Sequence, residues 1–125
     1  MRAADQRGYA TVWAATAIAA LLSIAALVIC GGAAALTRHR AGGAADLAAL
    51  AAAGRAADGE QAACAQAGLV AVRMGTRLVS CRLAGWDALV EVDCPPPRPL
   101  DRFGPASARA RAGPVGKEGR AVAGR

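Results

Sequence analysis

Between Arg7 and Arg38, thirty consecutive residues, Gly8 to Thr37, carry no charged side chain, and Val12 to Val28 is dense in Leu, Ile, Val and Ala. This pattern predicts a membrane-spanning helix over residues 9–36. At about 1.5 Å per residue such a helix reaches roughly 42 Å, against a hydrocarbon core of about 30 Å, so about a third of it protrudes. Tyr9 and Trp13 stand at one end, where interfacial aromatics are favoured. Ala15, Ala19 and Ser23, and then Ala26 and Cys30, recur at every fourth position, a spacing of small residues that lets another helix approach closely. A cleavable secretory signal has an apolar region of roughly 7–15 residues, far shorter than this one, although Ala33-Ala34-Ala35 mimics a cleavage site. A lipoprotein signal at Cys30 is disfavoured by the bulky Ile29 before it.

After the span, Ala41 to Ala53 has a weak helical pattern, with Leu47 and Leu50 three apart, Asp46 off that stripe, a kink at Gly42-Gly43 and a stop at Gly54. A second helix is predicted from Asp58 to Met74, with Asp58 as its cap, Glu60 and Gln61 in its first turn and Gly75 ending it. The period then changes to two. Leu78–Leu83 and Ala88–Asp93 flank Ala84-Gly85-Trp86-Asp87 and read as a hairpin. Prolines 95, 96, 97 and 99 predict an extended linker, and residues 106–112, where Ala alternates with Ser107, Arg109 and Arg111, read as an added edge strand or as a biased coil. The expected fold class is α+β: a transmembrane helix extending into a small domain with a second helix and a β-hairpin, then a basic, Pro-rich tail. The expected divisions are a basic leader or cytoplasmic stub (1–8), the span (9–36), a small extracytoplasmic domain (37–94) and the tail (95–125).

Composition limits what that domain can be. Alanine fills 36 of 125 positions, with one Phe and two Trp, so large buried side chains are scarce and a self-sufficient soluble core is not expected. The net charge of +6 is local: residues 95–125 hold seven Lys+Arg and two Asp+Glu, or +5, which leaves +1 for residues 1–94. Such a tail suits anionic lipid or nucleic acid and defines an alternative function, a single-span adaptor or regulator. It lacks the interleaved aromatics that base stacking needs, so no nucleic-acid partner is expected. Basic residues on the two sides of the span nearly tie, so charge does not set its orientation. The chain shows no phosphate-cradling glycine loop, paired-cysteine zinc spacing or Ser/His/Asp constellation, and Asp87, Glu91 and Asp93 read as the solvent side of a strand and its turn. No enzyme activity, cofactor or metal is expected. Cys30 lies in the span as a small packing residue, whereas Cys64, Cys81 and Cys94 follow it, where a covalent staple and an oxidising compartment would compensate for the weak core.

Three segments together resemble the TadE-like family, small pilin-like proteins of tight-adherence (Flp) pilus machinery, particularly its short actinobacterial members. Arg7-Gly8-Tyr9-Ala10-Thr11-Val12 runs directly into the apolar helix. Arg38-His39-Arg40 precedes a stretch whose Ala44, Ala45, Asp46, Ala48, Ala49 and Leu50 follow the family's pattern. Cys64, Leu78-Val79-Ser80-Cys81 and Val90-Glu91-Val92 form the third. The resemblance covers about residues 7–94. It implies a membrane-anchored, outward-facing minor pilin or pseudopilin, an accessory subunit whose partners are the membrane, other pilin-like subunits or secretion-apparatus membrane proteins, and a prepilin-type peptidase. Two departures stand out: Trp13 takes the place of the glutamate found five residues after the cleavage glycine of pilin-like precursors, and Gly42 takes that of a polar residue such as Gln.

Two further expectations concern covalent chemistry. In a hairpin centred near Gly85-Trp86, Cys81 faces about Val90, so Cys94 is roughly 13 Å away at about 3.3 Å per residue, beyond disulfide reach; Cys81 is therefore expected to bond to Cys64 on the helix. Residues 1–8 have the short, basic character of a pilin-type leader, with Gly8 the candidate cleavage residue and Tyr9 the new amino terminus. An uncleaved anchor and ordinary signal cleavage near Ala35 remain open beside it.

Overall fold

The computed structural model describes residues 2–114 of the chain, with side chains from residue 8 onward. The side chains of the expected leader before Gly8, and residues 115–125 of the expected basic tail, lie outside the described residues. Helix α1 (Arg2–Ala53) is followed by α2 (Glu60–Arg73), β1 (Arg77–Ala84), β2 (Asp87–Cys94) and β3 (Ala106–Ala112), with short 3-10 turns at Ala56–Asp58 and Leu100–Phe103. The three strands form one antiparallel sheet in the order β1-β2-β3. The class is α+β with a long apolar N-terminal helix, as the sequence predicts. The chain divides into two compact units, 1–34 and 35–125, and α1 contributes to both.

In the first unit α1 is helix alone. Its side chains are exposed from Gly8 through Gly32, and the helix carries a stretch long and apolar enough to cross a membrane.

The second unit has an inverted distribution of side-chain size. Its core joins Ala44, Ala45, Ala48, Ala49 and Ala52 of α1 with Ala63, Ala67 and Ala71 of α2 and Ala88, Val90 and Val92 of β2. Val92 is the largest fully buried side chain among the described residues. Each alanine gains little transfer free energy, so what the alanines provide is close backbone approach. The larger Leu47, Leu50, Leu69 and Val72 point outward, 48–73% exposed. The expectation that Leu47 and Leu50 mark the buried stripe is thus corrected. The stripe that packs is Ala41, Ala44, Ala45, Ala48, Ala49 and Ala52, and Asp46 lies outside it.

Several boundaries also move. The helix continues through Gly42-Gly43, where a kink is expected, because neighbouring alanines sustain the helical pattern on both sides. Asp58 does not cap α2. It sits in the 3-10 turn and pairs with Arg55 at 3.2 Å, while Gly59, at φ +96°, is the residue that enters the helix without a side-chain cap. The hairpin is longer than predicted, with Gly85 and Trp86 alone between Ala84 and Asp87. Gly85 takes φ +65° and Trp86 does not, as a type II′ turn requires at its first central position.

Residues 106–112 form β3, not coil. It pairs with β2 through seven consecutive positions, from Ala88 opposite Ala112 to Cys94 opposite Ala106, and so extends the ordered domain beyond residue 94. A register shift between Leu78 and Ser80 makes Val79 an extra residue on β1. The bulge matters because Leu78 and Cys81, three apart, would otherwise face opposite sides. With Val79 set aside they stand opposite the inward-facing Val92 and Val90.

Candidate functional site

The site with most functional content is the exposed apolar stretch of α1. Tyr9 and Trp13 are 70% and 64% exposed, and Leu21, Leu22, Leu27, Val28 and Ile29 are comparably open. The hydroxyls of Thr16 and Ser23 donate to the carbonyls of Val12 and Ala19, each at 2.8 Å. These two polar groups are satisfied within the helix, as a helix facing hydrocarbon requires. Ala15, Ala19, Ser23, Ala26 and Cys30 fall within about 80° of one another at 100° per helical residue, on one face of small residues. Gly8 and Tyr9 lie inside α1, and a β-carbon on Gly8 would meet nothing within 4 Å.

The stretch whose sequence resembles the family's pattern separates into two roles. Ala44, Ala45, Ala48 and Ala49 are fully buried in the small domain, whereas Asp46 is exposed and Leu50 is 61% exposed. The alanine spacing is therefore a packing signature. It lets α2 and the sheet lie against the end of α1, and a larger residue would force them apart.

Cys64 and Cys81 form a disulfide with Cα atoms 5.7 Å apart, the pair expected from the hairpin register. Cys94 is free and 6% exposed on the inward face of β2; Cys30 is free and exposed. No group of three or more His, Cys, Asp or Glu side chains comes together among the described residues.

One feature escapes the sequence reading. On the outer sheet face the acidic residues of β2 are flanked by arginines: Asp87 pairs with Arg111, Glu91 with Arg109 at 3.2 Å, and Asp93 with Arg77 at 3.3 Å while also accepting the Ser107 hydroxyl at 2.7 Å. The alternation of Arg and Ser in 106–112 was the available signal, but it names no partner until β3 is placed beside β2.

Residues 8–58 match the family described as "Putative Flp pilus-assembly TadE/G-like". The chain is also 50% identical over 54 residues to a Mycobacterium tuberculosis protein named "Apoptosis inhibitor Rv3654c", a match covering 43% of this chain and 64% of that protein. No solved structure matches the chain. The family match spans the apolar stretch of α1, its alanine-lined continuation and the turn that follows, so the similarity to TadE/G-like proteins rests on residues 8–58.

Proposed function

We propose that this protein is a membrane-anchored minor pilin or pseudopilin, a non-enzymatic accessory subunit of a tight-adherence pilus or secretion apparatus. The observation that carries this reading is the division of labour along α1. Its first part is apolar and exposed with its hydroxyls internally satisfied, and its second part is buried in a small disulfide-bonded domain. The apolar part is suited to the bilayer and to the helices of pilin-like subunits or apparatus membrane proteins, approached across Ala15, Ala19, Ser23, Ala26 and Cys30. Residues 38–125 lie outside the cytoplasmic membrane, where the disulfide persists, and residues 1–7 lie inside. The apoptosis-inhibitor name belongs to the mycobacterial protein, and the match is too partial to carry it here.

The adaptor reading, with a basic tail on anionic lipid or nucleic acid, is weaker because residues 106–112 of that tail are strand β3 of the folded sheet and not a free basic segment. Lacking a glutamate at Trp13, the subunit initiates, caps or stays in the membrane instead of building the fibre. Photo-crosslinking from position 19 in intact cells tests the assignment. Adducts with pilin-like or apparatus membrane proteins are expected, and adducts confined to lipid would contradict it.

A further inference from the structure

The two edges of the sheet are unlike. Along β1 the edge is closed: Val79 bulges out of register, and the Glu60 carboxylate of α2 accepts the Leu83 N–H at 2.9 Å. Each device prevents another strand from adding there. Strand β3 carries neither. It pairs regularly with β2 on one side, contains no proline between Pro105 and Pro114, and has no second strand neighbour among the described residues.

We propose that the free edge of β3 is a strand-addition site for an extended segment of a partner protein carrying carboxylates at alternate positions. Charge selects this occupant. Arg109 reaches Glu91 through Nε, which leaves both terminal nitrogens of a side chain that is 80% exposed, and Arg111, 69% exposed, gives Nε and one terminal nitrogen to Asp87 and keeps the other. A guanidinium has five N–H donors and can bridge carboxylates on two neighbouring strands. Strand β2 shows the pairing: its Glu91 stands directly opposite Arg109, and its Asp87 reaches Arg111 diagonally, past Leu89. A second copy of β3 fits poorly, because antiparallel self-pairing sets arginine against arginine or serine and supplies no carboxylate. Backbone pairing provides the attachment and the alternate carboxylates provide the selectivity. This inference stands apart from the pilus reading, because it rests on the sheet alone.

The test uses the full chain in detergent micelles and a fluorescent decapeptide of alternating Val and Glu, read by anisotropy. We expect it to bind at least tenfold more tightly than the Val/Gln peptide. Arg109→Gln should remove most of that difference and Arg109→Lys should retain part of it, with circular dichroism confirming that both variants fold. In an antiparallel strand alternate residues turn their N–H groups toward the neighbour, so N-methylation of one alternate set should abolish binding and of the other should spare it. Equal binding of the Val/Glu and Val/Gln peptides, or equal behaviour of the two N-methylated sets, overturns the proposal. Tenfold tighter peptide binding on removal of residues 115–125 would assign the edge to the chain's own tail and overturn it as well.

Discussion

Glu60 accepts the backbone N–H of Leu83 at 2.9 Å, and one helical turn later Cys64 is bonded to Cys81. A further turn on, a β-carbon at Gly68 would lie 3.7 Å from Leu78. Four helical residues rise about 6 Å and two strand residues about 6.6 Å, so α2 keeps step with β1. From Cys81 to Leu78 the match survives only because Val79 is bulged out of the count.

This alignment makes the disulfide the main covalent support of a domain with a small-residue core. Replacing both Cys64 and Cys81 by Ser should destabilise the small domain by about 3 kcal/mol, the loop-closure value for a cross-link of this span. Thermal unfolding followed by circular dichroism reads the change. Peptide mapping without reduction should recover Cys64 joined to Cys81 and Cys94 as a free thiol, and a Cys64–Cys94 peptide would contradict the hairpin register.

The inverted core predicts that enlarging an alanine is worse than truncating a leucine. Ala48→Leu should destabilise the domain by about 1–3 kcal/mol through overpacking. Leu50→Ala, at a position 61% exposed, should change it by less than about 0.5 kcal/mol. A larger loss for Leu50→Ala than for Ala48→Leu in paired thermal melts would show that Leu50, not Ala48, faces the interior.

That inversion also marks the limit of what the sequence discloses. Thirty uncharged residues and a change from helical to alternating period expose the apolar helix, the second helix and the hairpin, and with the hairpin register comes the Cys64–Cys81 pair. The buried face of α1 is harder to read. In an alanine-rich helix periodicity hardly separates inside from outside, so Leu47 and Leu50 attract the assignment that belongs to the alanines between them. The ion pairs across β2 and β3 depend on register between strands eleven residues apart, which no local pattern encodes. Asp58 looks like a helix cap by residue type, yet Gly59 enters the helix because its φ of +96° suits glycine.

Processing is open to direct measurement. A pilin-type peptidase acting after Gly8 predicts a mature protein that starts at Tyr9. N-terminal sequencing and intact mass of the membrane-extracted protein check this. A start at Met1 leaves an uncleaved anchor, and a start near Leu36 removes the apolar stretch of α1 and contradicts the proposed subunit role.

The central claim is a single span with the disulfide-bonded domain outside the cell membrane. Intact cells are treated with an impermeant reductant and then with a membrane-impermeant maleimide, and labelled cysteines are identified after digestion. Labelling of Cys64 and Cys81 before any lysis is the predicted result, with the 6% exposed Cys94 reacting more slowly. Labelling of these cysteines only after lysis would place the domain in the cytoplasm and contradict the account.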